Sequence, residues 1–297
     1  PPAAGSAAPP AGAAAPRLDP GRLLADVALL AHDSMEGRAT GTPGALTARQ
    51  WLVAELGRIG LEPTPGGFER PFTLVQSGRT LPAANVAGLV RGRTRPDRVI
   101  VLSAHFDHLG VRGGQTYNGA DDNASGVAAV LGIARWLVTR PIESTVLVVF
   151  LDAEELGLRG ARAFVADPPV PLADMALDLN LDMIGRNARD ELWIAGTSRW
   201  PALRPLAEAV QARNGIRVRL GHDRSGVGGE DDWTGSSDHG AFDQAGVPFL
   251  YFGEEDHPDY HQPTDDVERI DREFLGAAAE LVLDVLLMAD TVGASFR

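Results

Sequence analysis

Residues 124–151 read ASGVAAVLGIARWLVTRPIESTVLVVFL, and this stretch decides the fold. Its first part, 124–139, predicts a helix, and its last part, 144–151, is a continuous apolar run rich in β-branched residues. A strand that is apolar on both faces is typical of a parallel sheet covered by helices on both sides. Residues 98–104, RVIVLSA, predict a second strand of this kind. The sequence therefore predicts an α/β protein with a buried sheet at its centre.

Strands and helices alternate along the rest of the chain as well. Further strands are predicted as a pair within 70–91 and at 176–182, 191–195, 217–220 and 248–252. Further helices are predicted at 20–32, 43–60, 158–165, 200–213 and 271–289. This alternation indicates a three-layer α/β/α sandwich around a mostly parallel, mixed central sheet.

The composition narrows the range of functions. The chain has 297 residues, with 40 Asp and Glu against 27 Lys and Arg, which gives a net charge of −13. This excess of negative charge argues against non-specific binding to nucleic acid and against docking on anionic lipid. The absence of cysteine excludes disulfides, thiolate metal sites and a cysteine nucleophile. No run of 18 apolar residues is present, so no membrane span is expected.

The beginning of the chain differs from the rest. Residues 1–16, PPAAGSAAPPAGAAAP, contain only Pro, Ala, Gly and Ser, which predicts a flexible linker over 1–17. Residues 18–297 are expected to form a single domain. Because this linker begins without Met, we expect a secreted or periplasmic protein whose export signal is not part of this chain. The alternative is an ordinary cytosolic tail.

Acidic and imidazole side chains follow the predicted strands directly. They are His105, Asp107, Asp121, Asp122, Asp152, Glu154, Glu155, Asp182 and His261. Because the carboxyl ends of parallel strands meet at one edge of a sheet, these groups should converge there. Converging carboxylates repel each other, and two divalent cations would balance them. Imidazole and carboxylate without thiolate are typical of catalytic zinc, and a carboxylate outside the metal shell could move a proton.

Each of these motifs alone has a plainer interpretation. His105 and Asp107 could be a structural hydrogen-bonded pair, Asp122 could cap the following helix, and Glu154 with Glu155 could form a solvated turn. The ordered set along one predicted sheet is what favours a metal site. These arguments do not tell the roles of Glu154 and Glu155 apart.

The chain resembles the dizinc aminopeptidase family, which includes bacterial leucyl aminopeptidases, aminopeptidase S, glutamate carboxypeptidase II and glutaminyl cyclase. The matching stretches, in order, are AHFDHLG (104–110), NGADDNASGVAAVL (118–131), FLDAEELGLRGARAF (150–164), LNLDMIGR (179–186), SSDHGAFDQAGVPFLYF (236–252) and YHQPTDD (260–266). The resemblance extends over 23–287 and implies the zinc-exopeptidase fold, which is also described as phosphorylase/hydrolase-like.

The resemblance implies two zinc ions per chain. The implied ligands are His105 and Asp182 for one zinc, Glu155 and His261 for the other, and Asp121 as the bridge between them. A cis peptide bond is expected between Asp121 and Asp122. Glu154 would be the general base and acid, and Asp107 would orient the imidazole of His105.

The function implied is that of a zinc-dependent exopeptidase, an aminopeptidase that uses a metal-bridging hydroxide on peptides with a free N-terminus. We also expect a monomer. The alternatives are a carboxypeptidase, a glutaminyl cyclase-like acyltransferase and a non-catalytic binding module. An acidic cleft favours a cationic substrate amine over a carboxylate, and the complete ligand set argues against the single zinc of a cyclase.

Several polar and aromatic residues near the motifs have open roles. His108 and Asp152 are expected to support the motifs, and Asp238 to cap a helix or to contact substrate. Arg186 could bind substrate or form a salt bridge. Tyr251, Phe252 and Tyr260 could line a pocket or belong to the core, and the loop 221–236 could shape specificity or be a plain surface loop.

Overall fold

The computed structural model describes residues 16–211, 215–223, 232–293 and 295–297. The predicted linker over 1–17 lies outside these residues except for its last two positions, and so does the middle of the loop 221–236. Among the described residues, no helix combines the length and the apolar character that crossing a bilayer requires.

The strands are β1 (Glu62–Pro63), β2 (Glu69–Gln76), β3 (Arg79–Val90), β4 (Arg95–His105), β5 (Gly110–Arg112), β6 (Gln115–Tyr117), β7 (Ser144–Leu151), β8 (Met175–Leu181), β9 (Glu191–Ala195), β10 (Arg217–Leu220) and β11 (Phe249–Gly253). The α-helices are α1 (Pro20–Leu30), α2 (Pro43–Ile59), α3 (Gly126–Thr139), α4 (Arg159–Ala166), α5 (Arg204–Ala209), α6 (His239–Gln244) and α7 (Arg272–Val292). Shorter helical turns are Asp33–Arg38, Ala120–Ser125, Pro201–Leu203 and Val267–Arg269.

Nine of the described strands form one mixed sheet in the order β1-β3-β7-β4-β8-β11-β9-β10, with β2 paired to β3. The central strands β7, β4, β8 and β11 run parallel to one another, as predicted. The flanking pairs β3–β7 and β9–β11 are antiparallel, and so are the pairs that β3 forms with β1 and β2. The strands β5 and β6 form a separate hairpin.

Helices cover both faces of the sheet, because the side chains of each central strand alternate between two cores. Ile100 and Leu102 of β4 join the larger core, to which α1, α2, α3, α5 and α7 contribute apolar residues. Val99 and Val101 of the same strand join a second core with α4 and α6. This two-residue alternation between apolar layers explains the continuous apolar runs in the sequence. The predicted α/β/α sandwich is therefore confirmed.

The helix ends follow the local sequence signals. Asp19, Thr42 and Asp271 accept hydrogen bonds from backbone N–H groups in the first turns of α1, α2 and α7. Gly60 ends α2 with a φ of 96°, which a glycine tolerates. Within the described residues, the helix predicted over 200–213 is divided into the short turn Pro201–Leu203 and α5, where Pro205 in the first turn has no N–H to donate to the preceding turn.

Candidate metal centre

The polar residues after the central strands lie at one edge of the sheet. Because β7, β4, β8 and β11 are parallel neighbours, their carboxyl ends point to the same side. The six residues that converge there are His105, His108, Asp122, Glu155, Asp182 and His261. We call them the Asp122 centre.

The first half of the Asp122 centre joins β4 to the end of β8. His105 Nε2 lies 3.3 Å from Asp122 Oδ1 and 3.3 Å from Asp182 Oδ1. All three side chains are buried. One imidazole nitrogen and two carboxylate oxygens thus face a common point, which is the donor set of an open catalytic zinc site.

The second half lies on the other side of the same carboxylate. His261 Nε2 is 3.1 Å from Asp122 Oδ2 and 3.3 Å from Glu155 Oε1. His108 Nδ1 is 2.9 Å from the same Glu155 oxygen. Asp122 therefore directs one oxygen to each half, which is the position of a bridging carboxylate.

Asp121, which was predicted to be the bridge, does not lie between the two halves; Asp122 does. Asp121 Oδ1 accepts a hydrogen bond from the backbone N–H of Gly185 at 2.7 Å, and its Oδ2 lies 3.2 Å from His257 Nε2. The cis peptide bond joins Asp122 to Asn123, one position later than expected. The backbone turns sharply in this irregular segment, so adjacent carboxylates point to different sides.

Asp121 instead belongs to a second group, which we call the Asp121 cluster: Asp121, Glu254 and His257. In this cluster, Asn187 Nδ2 donates to Glu254 Oε2 at 2.9 Å, and the backbone N–H of Asp259 donates to His257 Nδ1 at 3.2 Å. The cluster ties the loop that carries His261 to the segment that carries Asp122.

The electrostatics of the Asp122 centre favour bound positive charge. Burial opposes ionisation of Asp122, but the imidazoles of His108, His105 and His261 hold the pKa of its carboxyl well below the usual value. Burial is outweighed in the same way at Glu155, whose pKa falls to about 2 beside His108 and His261. The carboxylates are thus anions at neutral pH, in a place where anions need cations.

Asp107 supports the centre mainly through the backbone of its neighbours. Its Oδ1 accepts from the N–H of Glu154 at 3.0 Å, and its Oδ2 from the N–H of Glu155 at 3.3 Å. The Nδ1 of His105 hydrogen-bonds the Asp107 backbone carbonyl at 3.2 Å and lies 3.7 Å from Oδ1. Asp107 thus fixes the Glu154–Glu155 turn as well as the imidazole of His105.

Glu154 lies in the wall of a cavity of about 100 Å³ beside the first half of the centre. Burial, together with the carboxylates of Asp238, Asp182 and Asp107, raises the pKa of Glu154 well above its usual value, against the effect of His105. A carboxyl group that can take up a proton at neutral pH is suited to general acid–base work.

Asp238 occupies the N-cap position of α6, but its side chain does not cap the helix, which corrects the first of its two expected roles. Its side chain makes no capping hydrogen bond to α6, and both carboxylate oxygens are buried without a hydrogen-bond partner. Asp238 lies near Glu154, and burial raises its pKa well above the usual value.

The aromatic residues divide between the cavity and the core. The cavity is lined by apolar and aromatic side chains that include Met183, Trp233, Tyr251 and Tyr260. Phe252 is a core residue. Trp233, in the described part of the loop 221–236, stacks on His222 with ring centroids 3.8 Å apart.

The remaining polar residues have structural partners. Arg186 Nη1 donates to Asp259 Oδ2 at 2.7 Å, which supports the salt-bridge interpretation. Asp152 accepts from Thr40 Oγ1 at 2.8 Å and from the N–H of Ala84 at 3.1 Å, so it supports the loops as expected.

Two contributors were not found from the sequence. Asp265 accepts from the N–H groups of Asp121 and Asp122, and Arg38 donates to four backbone carbonyls, among them those of Phe106 and Gly119. Asp265 falls in the quoted stretch YHQPTDD, which is a signal for it, whereas Arg38 lies in DSMEGR (33–38), outside the quoted stretches.

Comparison with known protein families shows to which family the chain belongs. The model described as "Peptidase family M28" matches residues 85–286. The chain belongs to peptidase family M28. The matched region contains every residue of the Asp122 centre together with Glu154 and Asp107.

The chain is also similar in sequence to curated proteins that are named as aminopeptidases. The chain is 30% identical over 214 residues to aminopeptidase YwaD of Bacillus subtilis, covering 67% of this chain and 43% of that protein. It is 30% identical over 278 residues to the probable lipoprotein aminopeptidase LpqL of Mycobacterium tuberculosis, covering 84% of this chain and 54% of that protein. The chain thus spans about half the length of these relatives.

Solved structures share the fold. The glutaminyl cyclase of Porphyromonas gingivalis superposes with a TM-score of 0.75 at 22% identity, covering 92% of this chain and 99% of that one. At this level of identity the likeness shows the fold, which M28 peptidases therefore share with a cyclase.

Proposed function

We propose that this chain is a zinc-dependent aminopeptidase that holds two zinc ions in the Asp122 centre. The observation that carries the proposal is the position of Asp122, with one oxygen 3.3 Å from His105 and the other 3.1 Å from His261. A carboxylate shared between two imidazole–carboxylate groups is what a pair of divalent ions requires. Related proteins named as aminopeptidases support this activity.

The residues fit zinc in number and in chemistry. His105, Asp122 and Asp182 would hold one ion, and Asp122, Glu155 and His261 the other. The carboxylates are ionised beside imidazoles, which are the nitrogen ligands that zinc prefers. Glu155 Oε1 is buried without a hydrogen-bond partner, so it is available as a ligand.

Bound zinc would supply a Lewis acid that polarises a peptide carbonyl and makes water more acidic. Glu154 would take the proton from the attacking water and deliver it to the leaving amine, because its raised pKa suits both steps. Asp107 would keep Glu154 in place through the backbone N–H of Glu154. Asp256, in the cavity wall, would place negative charge near the substrate's ammonium group.

The same cavity argues against the other two enzymes. Among the described residues that line it, acidic side chains occur and neither Lys nor Arg does, so nothing there clamps a substrate carboxylate as a carboxypeptidase must. Arg186 is paired with Asp259. A cyclase-like acyltransferase binds one zinc, so the potential ligands in one half of the Asp122 centre would then hold no ion.

The experiment compares three substrates: a tripeptide, its N-acetyl form and its C-terminal amide. Acetylation removes the ammonium charge, so we expect kcat/KM to fall at least about tenfold, the size of one lost charged hydrogen bond. Amidation should matter little. Cleavage of the acetyl form but not of the amide would indicate a carboxypeptidase instead, and activity that survives complete removal of metal would refute the zinc mechanism.

We further propose that residues 18–297 act as one catalytic domain, since α1 near the start packs on α7 near the end. A secreted or periplasmic location and a monomeric state remain predictions. Light scattering of the purified chain measures the oligomeric state directly.

A further inference from the structure

His108 lies in the second half of the Asp122 centre without a hydrogen bond. It follows His105 by three positions, and its side chain is 0% exposed. Its Nδ1 lies 2.9 Å from Glu155 Oε1 and 3.7 Å from Asp122 Oδ2. The contact with Glu155 is not aligned as a hydrogen bond, so both ring nitrogens and Glu155 Oε1 stay buried without a hydrogen-bond partner.

Buried polar groups almost always have a hydrogen-bond partner, so an imidazole that faces two ionised carboxylates without a hydrogen bond calls for an explanation. The imidazole of His261 approaches the same two carboxylates from another side, and the two rings have centroids 5.8 Å apart. His108, Asp122, Glu155 and His261 therefore surround one point. Among the described residues, the first half of the centre has only three that could bind a metal ion: His105, Asp122 and Asp182.

We infer that His108 is a fourth protein ligand of the second zinc, an inference that rests on the proposed function. Zinc held by four protein ligands is closed, whereas zinc with three keeps a position for water or substrate. The two halves would then differ in role, with the second ion held tightly and the first one open.

The cavity supports this division. His105, Asp122 and Asp182, the whole first half, line it beside Glu154, whereas of the other residues in the second half only His261 does and His108 and Glu155 do not. Substrate in the cavity therefore meets the first half of the centre. His261, which has a side chain 36% exposed, closes the second half from the solvent side.

The competing explanation is that His108 is a cation that balances Asp122 and Glu155 in place of a second metal. In that case the protein would hold one zinc, and truncating His108 would leave zinc binding unchanged or create room for a second ion. The two explanations therefore predict opposite changes in zinc affinity.

The experiment titrates metal-free protein with Zn²⁺ against a competing chelator and resolves two dissociation constants. Removal of a group that merely orients a ligand weakens metal binding by about 10–100-fold. For His108→Ala we therefore expect the affinity of the tighter site to fall at least about 100-fold while that of the other site is unchanged. His108→Gln, which keeps a polar group, should show the same pattern.

The matched control is His239→Ala. This ring is equally buried, but its nitrogens face Asn180 Oδ1 and the carbonyl of Trp233 instead of the carboxylates. The control should lose stability and keep both zinc affinities. If neither His108 variant folds, the imidazole ¹⁵N resonance of His108 in the wild type serves instead, and it should shift with the first equivalent of zinc, which fills the tighter site.

Unchanged or tighter second-site binding in His108→Ala, or no shift of the His108 resonance, would overturn the inference. A wild type that binds only one zinc would refute the two-zinc proposal itself. The first outcome is measured on the variant and the second on the wild type, so the two failures are distinguishable.

Discussion

The Asp122 centre and the Asp121 cluster are built from the same residue types on neighbouring stretches of chain, yet only one is suited to metal. In the Asp121 cluster, His257 Nδ1 accepts from a backbone N–H, so its Nε2 carries the proton that points to Asp121. That nitrogen has no free lone pair for a cation. In the Asp122 centre, both ring nitrogens of His108 are buried without a hydrogen-bond partner, and so is Glu155 Oε1. The Asp121 cluster also has such an atom, Glu254 Oε1, but its imidazole is hydrogen-bonded at both nitrogens.

The protonation states of the carboxyl groups also differ between the Asp121 cluster and the Asp122 centre. Burial and the adjacent Asp121 raise the pKa of Glu254 to about 11, which keeps it a neutral acid. At Asp122 and Glu155 the imidazoles overcome burial and lower the pKa. The comparison teaches that a set of His and carboxylate residues does not define a metal site. The hydrogen bonds that the set already makes decide whether its lone pairs are free.

Asp122→Asn should have the largest effect, because it removes the charge shared by both halves of the centre. We expect zinc content to fall and kcat/KM to drop by about four orders of magnitude or more, as for groups that act as a unit. Elemental analysis and a peptide assay measure the two effects. A variant that retains two zincs and near-native activity would remove the basis of the comparison.

Glu154→Gln separates proton transfer from metal binding. Gln keeps the shape and cannot exchange a proton, so kcat should fall by about 10²–10⁴-fold. Zinc content should remain that of the wild type, since Glu154 is not among the ligands. Loss of zinc together with activity would show that Glu154 is a ligand.

Asp121→Asn tests the other side of the comparison. The amide replaces a buried acceptor that faces two donors, Gly185 N–H and His257 Nε2. The free energy of unfolding should fall by about 1–3 kcal/mol, measured by urea denaturation. Both zincs should remain bound. If one zinc is lost, Asp121 contributes to the metal site after all.

Glu254→Gln should have the smallest effect on zinc content and activity, and its effect on the free energy of unfolding should change with pH. A folded-state pKa of about 11, raised from 4.5, means that this group's stabilisation is complete below 4.5 and declines as pH rises towards 11. Gln does not ionise, so the variant should become more stable relative to the wild type between pH 5 and pH 8. Glu255→Gln is the matched control, because that side chain is 47% exposed. A constant difference across this range would contradict a neutral Glu254.

The sequence predicted the sheet and the edge at which the site lies, because both depend on hydrophobic pattern. Strands β7 and β9 have the predicted bounds, and the alternation of two cores along β4 produces the apolar runs from which they were read. The antiparallel flanks were not specified, since strand direction depends on contacts between residues far apart in sequence.

Within the site, the sequence could not decide between neighbours. Asp121 and Asp122 are chemically identical, and only the backbone path of the segment 120–125 determines which one faces the histidines. His108 was expected only to support the motif. Its ring lies beside Glu155, and no hydrophobic periodicity in the sequence indicates that contact. Asp238 was expected to cap α6, a local signal that tertiary burial overrides.

Anomalous diffraction at the zinc edge, on crystals of the zinc-loaded protein, tests the central claim most directly. The account predicts two peaks, one on each side of the Asp122 carboxylate, with the second beside His108, Glu155 and His261. It predicts no peak at the Asp121 cluster. A single peak, or a peak between Asp121 and His257, would contradict it.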